Sequence, residues 1–126
     1  MALATELVNA GFSPGQAAGI GGQTNAGVTA AGSTIADATP IKSSMAIVAG
    51  ANGTTGVILT GQNGDEVWIF NNTSSTLKVY PDSSTSAISV AGTGLGTPGA
   101  AFSHLTFKSA IYKRISSTQW FVNVTA

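Results

Sequence analysis

The chain contains no cysteine. A disulfide framework and any thiolate-held metal are therefore excluded. Charge is almost as scarce. Asp, Glu, Lys and Arg make up 8% of the 126 residues and cancel to a formal net charge of zero, where ordinary soluble domains carry roughly 25%. Nucleic-acid binding needs clustered cations to displace phosphate counterions, and five Lys and Arg residues scattered along the chain do not supply them. The same scarcity argues against electrostatic attraction to an anionic membrane. No apolar run approaches the ~20 residues that cross a bilayer. The opening MALATELVNAGF holds Glu6 and no basic stretch, so no secretory leader is expected and the chain is read as made in a cytoplasm. Sequons at Asn52, Asn71, Asn72 and Asn123 then follow from an Asn-, Ser- and Thr-rich composition.

Chemistry-bearing residues are equally sparse. His104 is the one histidine. It lies in AAFSHLTF, where strand parity puts Phe102 and His104 on one face and Ser103 and Leu105 on the other. It is read as a strand histidine at a surface or a subunit contact. Asp65 and Glu66 are adjacent, which on a strand points them to opposite faces and separates them as an acid/base pair. One His and five scattered carboxylates do not converge as metal ligands. No catalytic residue, metal or cofactor is assigned, and no enzymatic activity is expected. GLGTPG, Gly94 to Gly99, matches G-x-G-x-x-G, but Pro98-Gly99 and a β-like run follow it where a dinucleotide site needs a helix. It is read as a loop. Lys108, Lys113 and Arg114 form a loose basic cluster, read as a solvated edge or one salt-bridged contact.

What the sequence does have divides into two parts. Residues 1–43 are rich in Ala, Gly, Thr and Gln, with Phe12 their one aromatic. They are expected to form an arm. A short helix is predicted over about Ala2 to Asn9, where Leu3, Leu7 and Val8 share a face and Gly11 lies just beyond the end. A second is signalled by Ser13 as cap, Pro14 at the first position and Gln16 reaching back, with Phe12 before the cap. Both are too short to stand alone in water, so Leu3, Leu7, Val8 and Phe12 are candidate partner-binding residues. Gln23 to Pro40 is read as an extended linker.

Residues 44–126 carry nearly all the β-branched and aromatic residues. Strands are predicted near Met45–Ala49, Val57–Thr60, Glu66–Asn71, Leu77–Tyr80, Ala87–Val90, Ala101–Phe107, Ala110–Ile115 and Trp120–Val124, at the ~8–12-residue spacing of a sandwich or barrel. Asn52-Gly53, Asn63-Gly64 and Pro81-Asp82 mark turns, and Ser116 to Gln119 joins the last two strands as a hairpin. No helical period interrupts the run, so parallel βαβ units are not expected, and no strict repeat is evident. The fold class is all-β: a small antiparallel β-sandwich or jelly-roll-like barrel behind an N-terminal arm with one or two short helices.

One strand stands out. DEVWIFNNTSSTLKVYPDSS, from Asp65, reads as a hairpin around a polar turn. Leu77, Lys78, Val79 and Tyr80 alternate, but Val67, Trp68, Ile69 and Phe70 are all apolar, so both faces need cover. A neighbouring subunit is the economical cover in so small a chain, since interface cores are poor in charge and rich in aromatics. Val67, Trp68, Ile69, Phe70, Tyr112 and Trp120 are the candidate subunit-interface residues.

GDEVWIFNNTSSTLKVYPDSSTSAISVAG, followed by LTFKSAIYKRISSTQWFVNV, resembles a β-module of structural proteins in tailed bacteriophages. Its features are a hydrophobic strand, Asn-Asn-Thr/Ser, a strand ending in Val79-Tyr80-Pro81, a Gly/Ser/Ala-rich stretch, an aromatic strand and the Ser117–Trp120 hairpin, over about residues 56–125. The resemblance implies a virion protein on the capsid surface, assembled in the host cytoplasm: a capsid decoration or cement protein, typically a homotrimer whose arms hold neighbours and contact the major capsid protein. The alternative it leaves open is a head- or tail-fibre module that binds a host-surface glycan or receptor, with Tyr80, Tyr112 and Trp120 as candidate stacking aromatics.

Overall fold

The computed structural model describes residues 24–90 and 95–124. The expected helices, with Leu3, Leu7, Val8 and Phe12, lie outside the described residues. Within them the chain is all-β and runs β1 (Thr24–Thr29), β2 (Thr39–Ile41), β3 (Met45–Gly50), β4 (Gly56–Leu59), β5 (Glu66–Asn71), β6 (Leu77–Tyr80), β7 (Ala87–Val90), β8 (Phe102–His104), β9 (Ser109–Ser116) and β10 (Gln119–Val124).

Two sheets enclose the core. One has six strands in the order β1-β3-β5-β9-β10-β7, the other four in the order β2-β4-β6-β8. The first six strands alternate between them. β1, β3 and β5 pair in parallel in the larger sheet, while β2, β4 and β6 pair in parallel in the smaller. The chain therefore winds as a solenoid of three coils, each contributing one strand to each sheet. Thr24 pairs with Met45, and Met45 in turn with Trp68. The remaining strands close the far end. β8 adds antiparallel to β6, and the β9–β10 hairpin adds antiparallel to β5. β7 joins β10 in parallel at the sheet edge.

This corrects the antiparallel expectation, because both sheets are mixed. Parallel neighbours need a long crossover, usually a helix. Here the crossover is a strand in the opposite sheet, so helices are not required. The stretch read as a linker supplies β1 and β2, the first coil. The segment read as a hairpin around Asn72 to Thr76 is also different: β5 and β6 lie in opposite sheets, and the turn carries the chain across the sandwich.

The core follows strand parity. Val67 and Ile69 of β5 face inward with Ala46 and Val48 of β3, Ala110 and Tyr112 of β9, and Trp120 and Val122 of β10. From the other sheet come Ile41, Val57, Leu59, Leu77 and Val79, all buried. Each fully buried Val, Leu or Ile contributes roughly 1.5–3 kcal/mol.

Glycine sets two close approaches. A Cβ on Gly56 would lie 2.7 Å from the Tyr80 ring, which crosses the outside of β4 and sends its hydroxyl to the Ser33 carbonyl at 2.8 Å. A Cβ on Gly96 would lie 2.1 Å from the Ile88 carbonyl oxygen. The loop after residue 94 thus lies flat on edge strand β7. The Gly96 amide donates to Ser89 Oγ at 2.9 Å and the Gly99 amide to the Ser86 carbonyl at 2.8 Å. An edge strand is a liability unless covered, and this loop covers it.

Candidate functional site

Strand β5 answers to two environments. Val67 and Ile69 are core, whereas Trp68 is 42% exposed and Phe70 half-buried on the opposite face. Register extends that outer face across the sheet. Trp68 stands between Met45 of β3 and Ile111 of β9. Phe70 stands beside Ile47 of β3. One row further, Glu66 faces Lys113 across β5–β9, and Lys113 faces Phe121 of β10, which is 40% exposed. Six large apolar side chains thus occupy one solvent-facing surface on four adjacent strands. A shallow groove of about 360 Å³ crosses its β9–β10 side, lined by Glu66, Ile111, Lys113, Phe121, Val122 and Asn123. The outer face of the smaller sheet differs. There Tyr80 is buried over Gly56, Ile58 is half-buried between Pro40 and Tyr80, and Pro40, Lys78 and Ser103 take the remaining outward positions.

The face is electrically neutral. Lys113 Nζ lies 3.4 Å from Glu66 Oε1, with both side chains about half exposed. Arg114, the next residue, turns the other way. Its guanidinium lies 3.3 Å from Asp82 Oδ2 and donates to the carbonyls of Gly61, Ser116 and Ser117. Trp120 Nε1–H donates to the other Asp82 oxygen at 2.9 Å. The loose basic cluster therefore resolves into two ion pairs on opposite faces, with Lys108 in the turn before β9.

Of the six expected interface residues, Val67, Ile69, Tyr112 and Trp120 are at most 3% exposed and belong to the chain's own core. Only Trp68 and Phe70 face outward. Met45, Ile47, Ile111 and Phe121 join them, a set recoverable from sequence only once the order β3-β5-β9-β10 is known. The stacking aromatics expected of a glycan site, Tyr80, Tyr112 and Trp120, are all buried.

His104 is also internal, 1% exposed, which corrects its reading as a surface or contact residue. The Lys108 carbonyl, 2.6 Å from Nε2, accepts only, so Nε2 carries the proton and Nδ1 accepts the Tyr112 hydroxyl at 2.7 Å. Burial lowers the histidine pKa below its ordinary value, against a raising contribution from the Lys108 carbonyl. Burial alone raises that of Tyr112. Both ring nitrogens are engaged, so the imidazole is not free as a general base. Gly11 to Gly15, which fits G-x-S-x-G, lies outside the described residues. Among the described residues no three His, Asp or Glu side chains converge as for a metal.

Asn71 was not anticipated. It ends β5, is fully buried, and donates through Nδ2 to the carbonyls of Ser75, His104 and Leu105 at 2.8, 3.2 and 3.3 Å. Its Oδ1 accepts the Thr73 hydroxyl at 2.7 Å. Its main chain exchanges bonds with Lys108 and Phe107. One side chain thus holds the crossing turn after β5 against the turn between β8 and β9. That second turn presents Leu105 and Phe107, 57% and 58% exposed, with Phe107 at φ 55°. The signal available in sequence was Asn-Asn-Thr-Ser after a strand, which marks a turn but not a buried hub.

No family model matches the chain, and no curated protein or solved structure matches it.

Proposed function

We propose that this chain is a virion structural protein of a tailed bacteriophage, a capsid decoration or cement protein that stabilises the head through contacts with copies of itself and with the major capsid protein. The observation that carries the reading is the outer face of the six-stranded sheet, where Trp68 and Ile111 stand in register and Phe70 and Phe121 occupy the neighbouring rows, on a surface whose charges cancel. Contiguous apolar patches of several hundred Å² mark association surfaces. Burying ~300 Å² at about 25 cal/mol per Å² yields about 7 kcal/mol gross per copy, before the costs of association. Repeated over a shell, such contacts resist internal pressure without any catalytic chemistry. The resemblance of residues 56–125 to phage structural modules supplies the setting.

The glycan-binding fibre reading has less to stand on, since the aromatics it would use are inside the fold. The test of the leading reading is direct. Purified protein is added to phage heads that lack it, and bound copies and head rupture temperature are measured. Saturable binding with a raised rupture temperature, both lost in Trp68→Lys, is the expected result. Absence of binding by the wild-type chain overturns it.

A further inference from the structure

The apolar outer face raises a narrower question: what geometry covers it. We infer that its occupant is the same face of a second copy, related by a two-fold axis that lies in the plane of contact and runs parallel to the strands between β5 and β9. This rests on the reading that another chain covers the face, but not on the virion setting.

Three observations on the fold favour this arrangement. The first is asymmetry of the sandwich. A head-to-tail contact joins two different surfaces. The obvious second surface, the outside of the smaller sheet, offers less: Tyr80 closes over Gly56, Ile58 is already half-buried between Pro40 and Tyr80, and Lys78 and Ser103 are polar. A face that is apolar on one side only pairs most fully with itself.

The second is the pairing pattern. A rotation about the β5–β9 boundary exchanges the two strands and keeps each row at its own height. Trp68 then lies on Ile111 of the second copy, because those two residues are cross-strand partners within one chain. Met45 and Asn123 flank that row and exchange in the same way. Sheets stacked face to face with strands aligned to within ~30° are a standard packing, so the contact repeats the geometry that builds the protein's own core.

The third is charge. Glu66 and Lys113 are also cross-strand partners, 3.4 Å apart within one chain and about half exposed. The same rotation lays Glu66 of each copy over Lys113 of the other. Four charges of alternating sign then close one end of the apolar patch. An axis perpendicular to the strands would carry the pair away from its counterpart and leave it against apolar side chains, where unpaired charge is costly. As for size, the exposed parts of the large side chains amount to ~300 Å². That suits the apolar centre of a standard interface of ~800 Å² per partner, whose polar rim the surrounding Thr, Ser and Asn residues provide.

The experiment uses the full chain and two charge variants. Sedimentation equilibrium is run from micromolar to millimolar protein on wild type, Glu66→Lys, Lys113→Glu and an equimolar mixture of the two variants. Each variant alone brings like charges together across the axis, so self-association is expected to weaken about tenfold or more. In the mixture every crossing pair is again of opposite sign, and hetero-association at near wild-type strength is expected. Acrylamide quenching provides the second measurement. Trp120 is fully buried and Trp68 is not, so the quenchable signal reports Trp68 and is expected to fall as concentration rises.

Failure of the mixture to recover association overturns the axis. A wild-type chain that stays monomeric to millimolar concentration overturns the self-pairing altogether. So does a Trp68 that is protected while the chain sediments as a monomer, which would mean that the chain's own residues cover the face. Heads that bind monomeric protein through Trp68 would leave the proposed function standing without this inference. A dimer that ignores heads would do the reverse.

Discussion

The Tyr112 hydroxyl donates to His104 Nδ1 at 2.7 Å and so ties β9 of the six-stranded sheet to β8 of the four-stranded sheet. The opposite ring nitrogen donates to the Lys108 carbonyl, so the imidazole is held neutral at the closed end of the solenoid. Protonation would put a hydrogen on both nitrogens and point one at the tyrosine hydroxyl, which would have to turn away inside a packed core.

The consequence is a pH dependence with a definite sign. The folded pKa of His104 lies below its ordinary 6.5. The unfolded chain therefore takes up a proton first as pH falls. Stability is fully present above about 6.5 and declines below it, by at most ~1.4 kcal/mol per pH unit, until the folded histidine also titrates. Asp37, whose pKa Thr34 lowers from 3.8, acts only at more acidic pH. Urea unfolding at pH 7 and pH 5.5 should show the loss in wild type and not in His104→Gln, whose amide can still donate to Lys108. Since His104 is the only histidine, an unchanged slope in that variant would refute the assignment.

Asn71 should be among the costliest polar positions to lose. Asn71→Ala removes the donor to three carbonyls and the acceptor for Thr73. Leaving such groups unpaired in a dry site costs ~1–3 kcal/mol each when they cannot reach water, and several here can. A net loss of about 2–4 kcal/mol in chemical denaturation is expected. Asn71→Asp should be no better, because a carboxylate has no N–H for those carbonyls. A loss under ~0.5 kcal/mol would show that the two turns hold without it.

How far the sequence reached follows from what alternation encodes. It places Val67 and Ile69 opposite Trp68 and Phe70, and Phe102 with His104, because parity belongs to a single strand. It does not say which strand lies alongside or in which direction. An apolar-polar pattern is the same for parallel and antiparallel neighbours, so the three coils were invisible without a repeat. β1, Thr-Asn-Ala-Gly-Val-Thr, and β2, Thr-Pro-Ile, are interrupted by Asn-Ala-Gly and by Pro, residues depleted in strands, and owe their form to β3 and β4 beside them. The burial of His104 depends on Tyr112 and the Lys108 carbonyl, partners that chain position alone does not reveal.

Gly96 of GLGTPG has a structural use that a substitution can expose. Gly96→Ala would drive a methyl carbon to 2.1 Å from the Ile88 carbonyl oxygen, and the neighbour is backbone on an edge strand. The loop must lift, the bond from the Gly96 amide to Ser89 Oγ breaks, and β7 loses its cover. The expected cost is about 1–3 kcal/mol, with faster hydrogen exchange at Ile88 to Val90. Gly53→Ala is a useful contrast. Its Cβ would meet nothing, though its φ of 90° still disfavours a side chain. Enhanced exchange should then appear for Gly96→Ala alone.

Phe107 tests whether a strained turn is kept for its side chain. Its φ of 55° lies in the left-handed region, which costs a non-glycine residue roughly 1–2 kcal/mol. The ring is 58% exposed and gains little from burial to offset this. The Asn71 carbonyl accepts the Phe107 amide at 2.8 Å, and the Thr106 hydroxyl donates to the Thr73 carbonyl, so the turn is fixed whatever its apex carries. Phe107→Gly relieves the steric cost and adds about 0.5–1 kcal/mol of backbone entropy loss. The net expectation is a variant equal to wild type or up to ~1 kcal/mol more stable. Head binding is the second readout. If the Leu105–Phe107 tip touches the capsid, Phe107→Gly should bind more weakly while melting no lower, a separation that a simple folding defect cannot produce. A clear fall in melting temperature would mean that the ring is supporting the fold.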